Sequence, residues 1–302
     1  MAAGAVGGYF GARFKAAGHD VTFFARGSHL DAIRRNGLKV ESPAGDLHLE
    51  GVTATDDPRA VAPVDIVIFA VKLWDLEKAA ESLRPIIGSA TRVITVQNGI
   101  DAVERLEPIL GQGHVVPGLA QIATVIASPG VIVHTSPFAL IRCGHLDGRA
   151  DPTLTALVDA ARKAKIDVQV ADNIELELWH KFVFLSALSG ITTATRLPIG
   201  KLLADADTRA FFHALLGEVA AVGRAKGVPL PADFADKAFA FAEATLPADM
   251  KASMAHDLER GNRLELDWLS GKVVELGRAL GVATPANTAV YAVLKLHRMG
   301  RS

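Results

Sequence analysis

The sequence predicts an α/β protein in two parts: an N-terminal doubly wound sheet over residues 1–171 and an all-helical domain over residues 172–302. Three observations carry that prediction. Short β-branched runs alternate with helical patterns up to about Asp172, each run bounded by Gly, Pro, Asp or Asn. Beyond that point the runs stop, and apolar residues recur at helical spacing to the end of the chain. The chain also opens on a glycine-rich turn that runs straight into a helical pattern, as α/β units do.

The strand-like runs are Val21–Ala25, Ile66–Val71, Val93–Val96, Val115–Gly118, Val131–His134, Ala139–Cys143 and Val168–Val170. The early ones are apolar on both faces, which suits parallel strands covered by helices on each side. Between them, Tyr9–Ala17, Leu73–Arg84, Ala102–Ile109 and Pro152–Ala164 carry apolar residues at helical intervals. The second half reads as helices over Ile174–Leu188, Asp207–Lys226, Ala232–Ala244 and Arg263–Leu280. Its turns are marked by Gly227-Val-Pro229, Leu246-Pro247 and Gly281-Val-Ala-Thr-Pro285, with glycine closing a helix and proline soon after it.

Composition narrows the function classes. A chain of 302 residues can build two cores, and 50% hydrophobic with 22% charged residues is the balance of a packed globular protein. A net charge of −1 offers no basic excess for a nucleic acid. The longest apolar runs are far shorter than the roughly 20 residues a bilayer demands, and no basic-then-apolar leader is visible at the start. A soluble, cytoplasmic chain is the expectation. Cys143 is the only cysteine and has neither a second thiol nor a His at metal spacing, so no disulfide and no metal centre is expected.

The opening Ala2-Ala-Gly4-Ala5-Val6-Gly7-Gly8, its helix and the strand Val21–Ala25 have the order of a dinucleotide-binding, Rossmann-like unit. Glycine lets the backbone approach a pyrophosphate, and the helix N-terminus presents unpaired N–H groups to it. Packing alone can also place glycines there. The strand that normally feeds such a turn is missing, since only Met1 to Ala3 precede Gly4. The expectation is that Met1 is not the natural start and that about six apolar residues precede it, a typical strand length.

At the end of the second strand stands Arg26, where enzymes using NAD place an acid against the ribose 2′-hydroxyl. A guanidinium there suits the 2′-phosphate of NADPH; the bland alternative is a solvated surface arginine. Lys72 follows the strand Ile66–Val71, and Gln97-Asn98-Gly99 follows Val93–Val96, which puts a cation and a carboxamide on the rim where open α/β sheets bind ligands. An Asn-Gly turn and a surface lysine would look the same.

In the helical half, Trp179-His180-Lys181-Phe182 sets a lysine in an apolar stretch. Apolar walls strip hydration from an ammonium and lower its pKa, so that it can donate a proton near neutral pH. The alternative is a lysine stem lying along apolar surface with its head in water. His180 faces another side of the helix and reads as structural. Glu265, flanked by Leu264, Leu266 and Trp268, reads as a partly enclosed carboxylate able to orient Lys181 or a cofactor.

Taken together, Gly4-Ala-Val-Gly-Gly-Tyr-Phe-Gly11, Ala25-Arg-Gly27, Val71-Lys72, Gln97-Asn98-Gly99, Trp179-His-Lys181, Ser253-Met254 and Leu264-Glu265-Leu-Asp267 resemble the ketopantoate reductase family, in order and at similar spacing over essentially the whole chain. The combination separates the chain from 3-hydroxyisobutyrate and 6-phosphogluconate dehydrogenases. The resemblance implies NADPH-dependent reduction of ketopantoate to pantoate, a step of pantothenate biosynthesis, in a cleft between the domains. It implies Lys181 as general acid, Glu265 as a catalytic and orienting carboxylate, and Asn98, Lys181, Ser189 and Ser253 as substrate contacts. Gly4, Ala5, Val6, Gly7, Arg26, Lys72 and Asn98 would serve the cofactor. The implied partner is a small 2-oxo acid, with homodimerisation open.

The chain departs from the family where asparagines are common after the catalytic lysine: the corresponding residues are Leu185, Ser189 and Ile199. Apolar groups there favour a more apolar 2-oxo acid. A nucleotide-binding protein without catalysis is the third expectation.

Overall fold

The computed structural model describes residues 3–301; Met1 and Ala2, on which the expectation of a displaced start bears, lie outside them. The chain divides into a sheet unit, running through Gln97 and then Asp101–Ile174, and a helical unit made of Asn98–Ile100 and the residues from Glu175 onward.

In the sheet unit, Val64–Phe69, Ile87–Thr95 and Val115–Val116 form a parallel set in which Val67 faces Val93 and Ile68 faces Ile94. Successive side chains of a strand point to opposite faces, and both faces here are covered. On one, Phe69 and Val93 pack with Leu76, Leu83, Leu106 and Leu110 from the helices Leu76–Leu83 and Ala102–Leu110. On the other, Ile94, Val96 and Val116 pack with Phe10 and Phe14 of the helix Ala5–Ala16 and with Leu154, Leu157 and Ala161 of the helix Pro152–Ala164. Each Val, Leu, Ile or Phe among them contributes about 1.5–3 kcal/mol on burial. The layering is that of a doubly wound α/β domain.

Among the described residues no strand precedes the helix Ala5–Ala16. Thr22–Phe24 pairs in parallel with Thr53–Thr55, and Val64–Phe69 with Ile87–Thr95, but the two sets are not paired with each other. Ala3 donates its N–H to Phe24 O at 2.6 Å.

The structure corrects the single-sheet expectation. Val131–His134 belongs to a separate four-stranded sheet, parallel to Leu38–Glu41 and antiparallel to Thr124–Ser128, with Leu47–Leu49 on the far edge. Leu140–Cys143 runs parallel to Asp167–Val170 but antiparallel to Gly118–Gln121. Leu38–Glu41 escaped sequence reading because only Leu38 and Val40 are buried while Lys39 and Glu41 are exposed, too short an alternation to stand out.

The N-cap of the helix Pro152–Ala164 is also an electrostatic anchor. Asp151 accepts from Thr153 N at 2.9 Å, from Arg92 Nε at 2.5 Å and from His145 Nε2 at 2.9 Å. Burial pushes its pKa up, but the hydrogen bonds from Arg92, His145 and Thr153 outweigh that and hold the carboxyl well below the usual carboxylate range. A depressed acid of this kind stabilises the fold above its unfolded pKa and ceases to as pH falls through its folded one. Asp151→Asn, which keeps a capping oxygen and loses the charge, is expected to remove about 1.5 kcal/mol at neutral pH, and most of that deficit should vanish in strong acid. Thermal unfolding of both proteins across pH checks it; a constant difference in Tm at every pH would refute the ionic account.

The helical unit is built around the 22-residue helix Ile174–Thr195. Buried residues lie on nearly every side of it, from Trp179 to Thr193, as expected of a central helix. Its neighbours are Ala206–Ala225, Phe234–Thr245, Ser270–Leu280 and Pro285–Leu294. Trp179 packs edge-on against Phe182 at 5.5 Å and fits beside Gly223, where a Cβ would come within 2.7 Å of the indole.

Candidate active site

The local sequence places Lys181 on the central helix directly after His180, whose ring stacks on Phe234 at 4.5 Å. Trp179 and Phe182, its near neighbours, are buried. Loss of hydration pulls the Lys181 pKa down from 10.5 to about 8, and the carboxylate of Glu265 opposes the shift. The result is an ammonium still charged at neutral pH and ready to release its proton close to it.

Glu265 is held by its neighbours in the chain. Leu264 and Leu266 are fully buried, Leu264 N donates to Arg298 O at 2.9 Å, and Trp268 N donates back to Glu265 O at 3.1 Å. This leaves Glu265 6% exposed, and Asn98 Nδ2 donates to its Oε2 at 3.1 Å. Asn98 sits in a turn that Gly99 closes with φ near 111°, a conformation open to glycine. The carboxamide and the carboxylate are thus hydrogen-bonded inside the helical unit, and the carboxylate's charge acts on the Lys181 ammonium.

Two serines expected near a substrate differ from each other. Ser253 is exposed at the first turn of the helix Ser253–Arg260, whose start is fixed by Ala252 N donating to Thr192 Oγ1 at 3.3 Å. Ser189 is 1% exposed, with no partner for its hydroxyl among the described residues. Leu185, one turn past Lys181, is half-buried, and Ile199 is buried. Thr192 gave no signal in the sequence, since a mid-helix threonine looks alike whether it binds its own helix or, as here, also anchors a second one.

In the sheet unit, Gly4 is the N-cap of the helix Ala5–Ala16, with no side-chain cap and no acid in the first turn. A glycine cap offers no side-chain acceptor to the leading N–H groups, and such groups are the donor set an anionic pyrophosphate needs. Gly4, Ala5, Val6 and Gly7 are all partly accessible. Arg26 is exposed at the N-cap of the helix Gly27–Asn36, and no acid pairs with it among the described residues. Lys72 follows the strand Val64–Phe69, its Nζ 5.5 Å from the Trp74 ring centre. These residues fit a phosphorylated dinucleotide. No helix among the described residues is long and apolar enough to cross a membrane.

Comparison with known proteins agrees with this assembly. The family profile "Ketopantoate reductase PanE/ApbA" matches residues 2–148, and its C-terminal counterpart matches residues 173–298. The oxidoreductase YkpB of Bacillus subtilis is 31% identical, covering 98% of this chain and 97% of its own. A 2-dehydropantoate 2-reductase of Mesorhizobium japonicum is 30% identical over 97% of this chain and 95% of its own. The crystal structure of a PanE/ApbA family ketopantoate reductase from Ralstonia eutropha superposes with a TM-score of 0.89 at 33% identity, covering 99% of this chain and 97% of that one. With both halves matched by their own profiles and whole-length relatives at this identity, the chain belongs to the ketopantoate reductase family of oxidoreductases.

Proposed function

We propose that this protein is an NADPH-dependent reductase of a 2-oxo acid, with ketopantoate as substrate and pantoate as product, acting in the cytoplasm in pantothenate biosynthesis. One observation carries the reading: the buried Glu265, hydrogen-bonded by Asn98, lends its charge to the desolvated ammonium of Lys181. The bound cofactor supplies the hydride.

This chain's own groups do the rest. The N–H groups following Gly4 hold the pyrophosphate, Arg26 holds the 2′-phosphate, and Lys72 adds positive charge. Lys181 donates a proton to the carbonyl oxygen as negative charge grows on it, which helps most in the transition state. Glu265 keeps that ammonium oriented and charged, while Asn98 fixes Glu265 and Ser253 offers an exposed hydroxyl to the acid. NADPH consumption with ketopantoate and a panel of 2-oxo acids tests the reading. Turnover of ketopantoate above the other acids supports it, and cofactor binding with no turnover on any acid overturns it.

A second reading, reduction of a more apolar 2-oxo acid, draws on Leu185 one turn beyond Lys181, where an amide would otherwise face a substrate hydroxyl. It predicts that the same panel favours acids lacking that hydroxyl.

The lysine also fixes a pH dependence. The reduction needs the protonated ammonium, so kcat/KM is expected to stay level below about pH 8 and then to fall about tenfold per unit as pH rises. The reverse oxidation should rise over the same interval. A kcat/KM for reduction that stays flat well above pH 8 would remove Lys181 from the proton transfer.

A further inference from the structure

His29 lies in the helix Gly27–Asn36, three residues after Arg26, and is only partly accessible. Gly130 N donates to its Nδ1 at 3.0 Å. A backbone N–H can only donate, so Nδ1 is the bare nitrogen and the proton sits on Nε2. That nitrogen lies 2.7 Å from Ala3 O, to which it donates. Both sides of the ring are therefore engaged by main chain. Burial lowers the pKa of His29, which favours the neutral ring this arrangement requires, although the bond to Ala3 opposes the shift.

The two segments that His29 grips are well fixed. Gly130, at φ near 80° in the turn between Thr124–Ser128 and Val131–His134, also accepts Lys39 N at 2.9 Å. Ala3 immediately precedes Gly4, and its own N–H is taken by Phe24 O, two residues before Arg26. A dinucleotide phosphate would touch the chain at two places, the N–H groups after Gly4 and the guanidinium of Arg26. Arg26 is three residues from His29 along the chain and Gly4 directly follows Ala3, so His29 connects one contact to the other through Ala3 O.

We infer that His29 is a positioning residue for the cofactor, setting the spacing between the pyrophosphate-binding turn at Gly4 and Arg26 through its hydrogen bond to the Ala3 carbonyl. The inference rests on the NADPH reading above. It predicts that His29 acts on cofactor affinity while touching neither substrate nor the reacting atoms.

Three variants of the full chain separate this role from plain packing. In His29→Gln the amide nitrogen reaches the place of Nε2 and keeps the donor to Ala3 O. In His29→Asn the shorter side chain can answer Gly130 but not Ala3, and His29→Ala answers neither. Titrating NADPH directly, His29→Asn and His29→Ala are expected to raise Kd about five- to tenfold, and His29→Gln less than about twofold. In steady state the KM for NADPH should follow Kd while kcat at saturating NADPH is retained. Equal Kd for His29→Ala and the natural chain, or the same loss in His29→Gln as in His29→Asn, would overturn the inference while leaving the cofactor reading intact. Failure of the natural chain itself to bind NADPH would instead overturn the cofactor reading, and this inference with it.

Discussion

Lys181→Ala is expected to lower kcat about 10²–10⁴-fold, the usual contribution of a positioned acid, and to leave the Kd for NADPH within about twofold. The magnitude follows from the environment of the ammonium. Burial has already stripped much of its hydration and brought its pKa to about 8, so little reorganisation separates the resting charge from proton donation. Water can replace the proton but not the fixed charge. Lys181→Arg discriminates between these two contributions: it keeps a cation near Glu265 but cannot release a proton near neutral pH, so it should recover only part of the loss. Glu265 is 6% exposed and would lose its cationic neighbour in the alanine variant, so circular dichroism and Tm must accompany the kinetics. An alanine variant that folds and turns over like the natural chain would falsify the assignment of Lys181 as acid.

Arg26→Ala is expected to raise the KM for NADPH about 10–100-fold and to change the KM for NADH little, so that the preference between the cofactors narrows or inverts. Hydrogen bonds to a charged group are worth about 1.5–3 kcal/mol, which converts to that range. The arginine is exposed at a helix N-cap with no acid beside it among the described residues, and losing it should disturb no packing. Arg26→Asp should go further, because a carboxylate repels the 2′-phosphate and accepts the ribose hydroxyl of NADH. Parallel titrations with the two cofactors decide it. An equal loss for both would place Arg26 on a part they share, and no loss for either would return it to the solvated surface.

Two local environments were legible in the chain itself. Lys181 in its apolar stretch announced a desolvated ammonium, and Leu264 and Leu266 announced an enclosed Glu265, because both features depend on immediate chain neighbours. The strands Val64–Phe69 and Val115–Val116 and the helix Pro152–Ala164 were equally legible from uninterrupted or periodic apolar residues. The hairpin Leu38–Glu41 and Leu47–Leu49 and the helix Gly27–Asn36 were not, since their buried residues are few and interleaved with charges. Their burial is conferred by partners far away in sequence.

The amino-acid order by itself determined the division into a sheet half and a helical half, the glycine turn with its arginine, and the chemical types in the site. All of these follow from local periodicity and from what each side chain can do. Only the tertiary structure decided that Asn98 pairs with Glu265, 167 residues away, that Thr192 seats the helix of Ser253, and that His29 holds Ala3 and Gly130 together. Hydrogen bonds between distant residues depend on which surfaces meet when the core closes, and periodicity along the chain carries no record of that meeting.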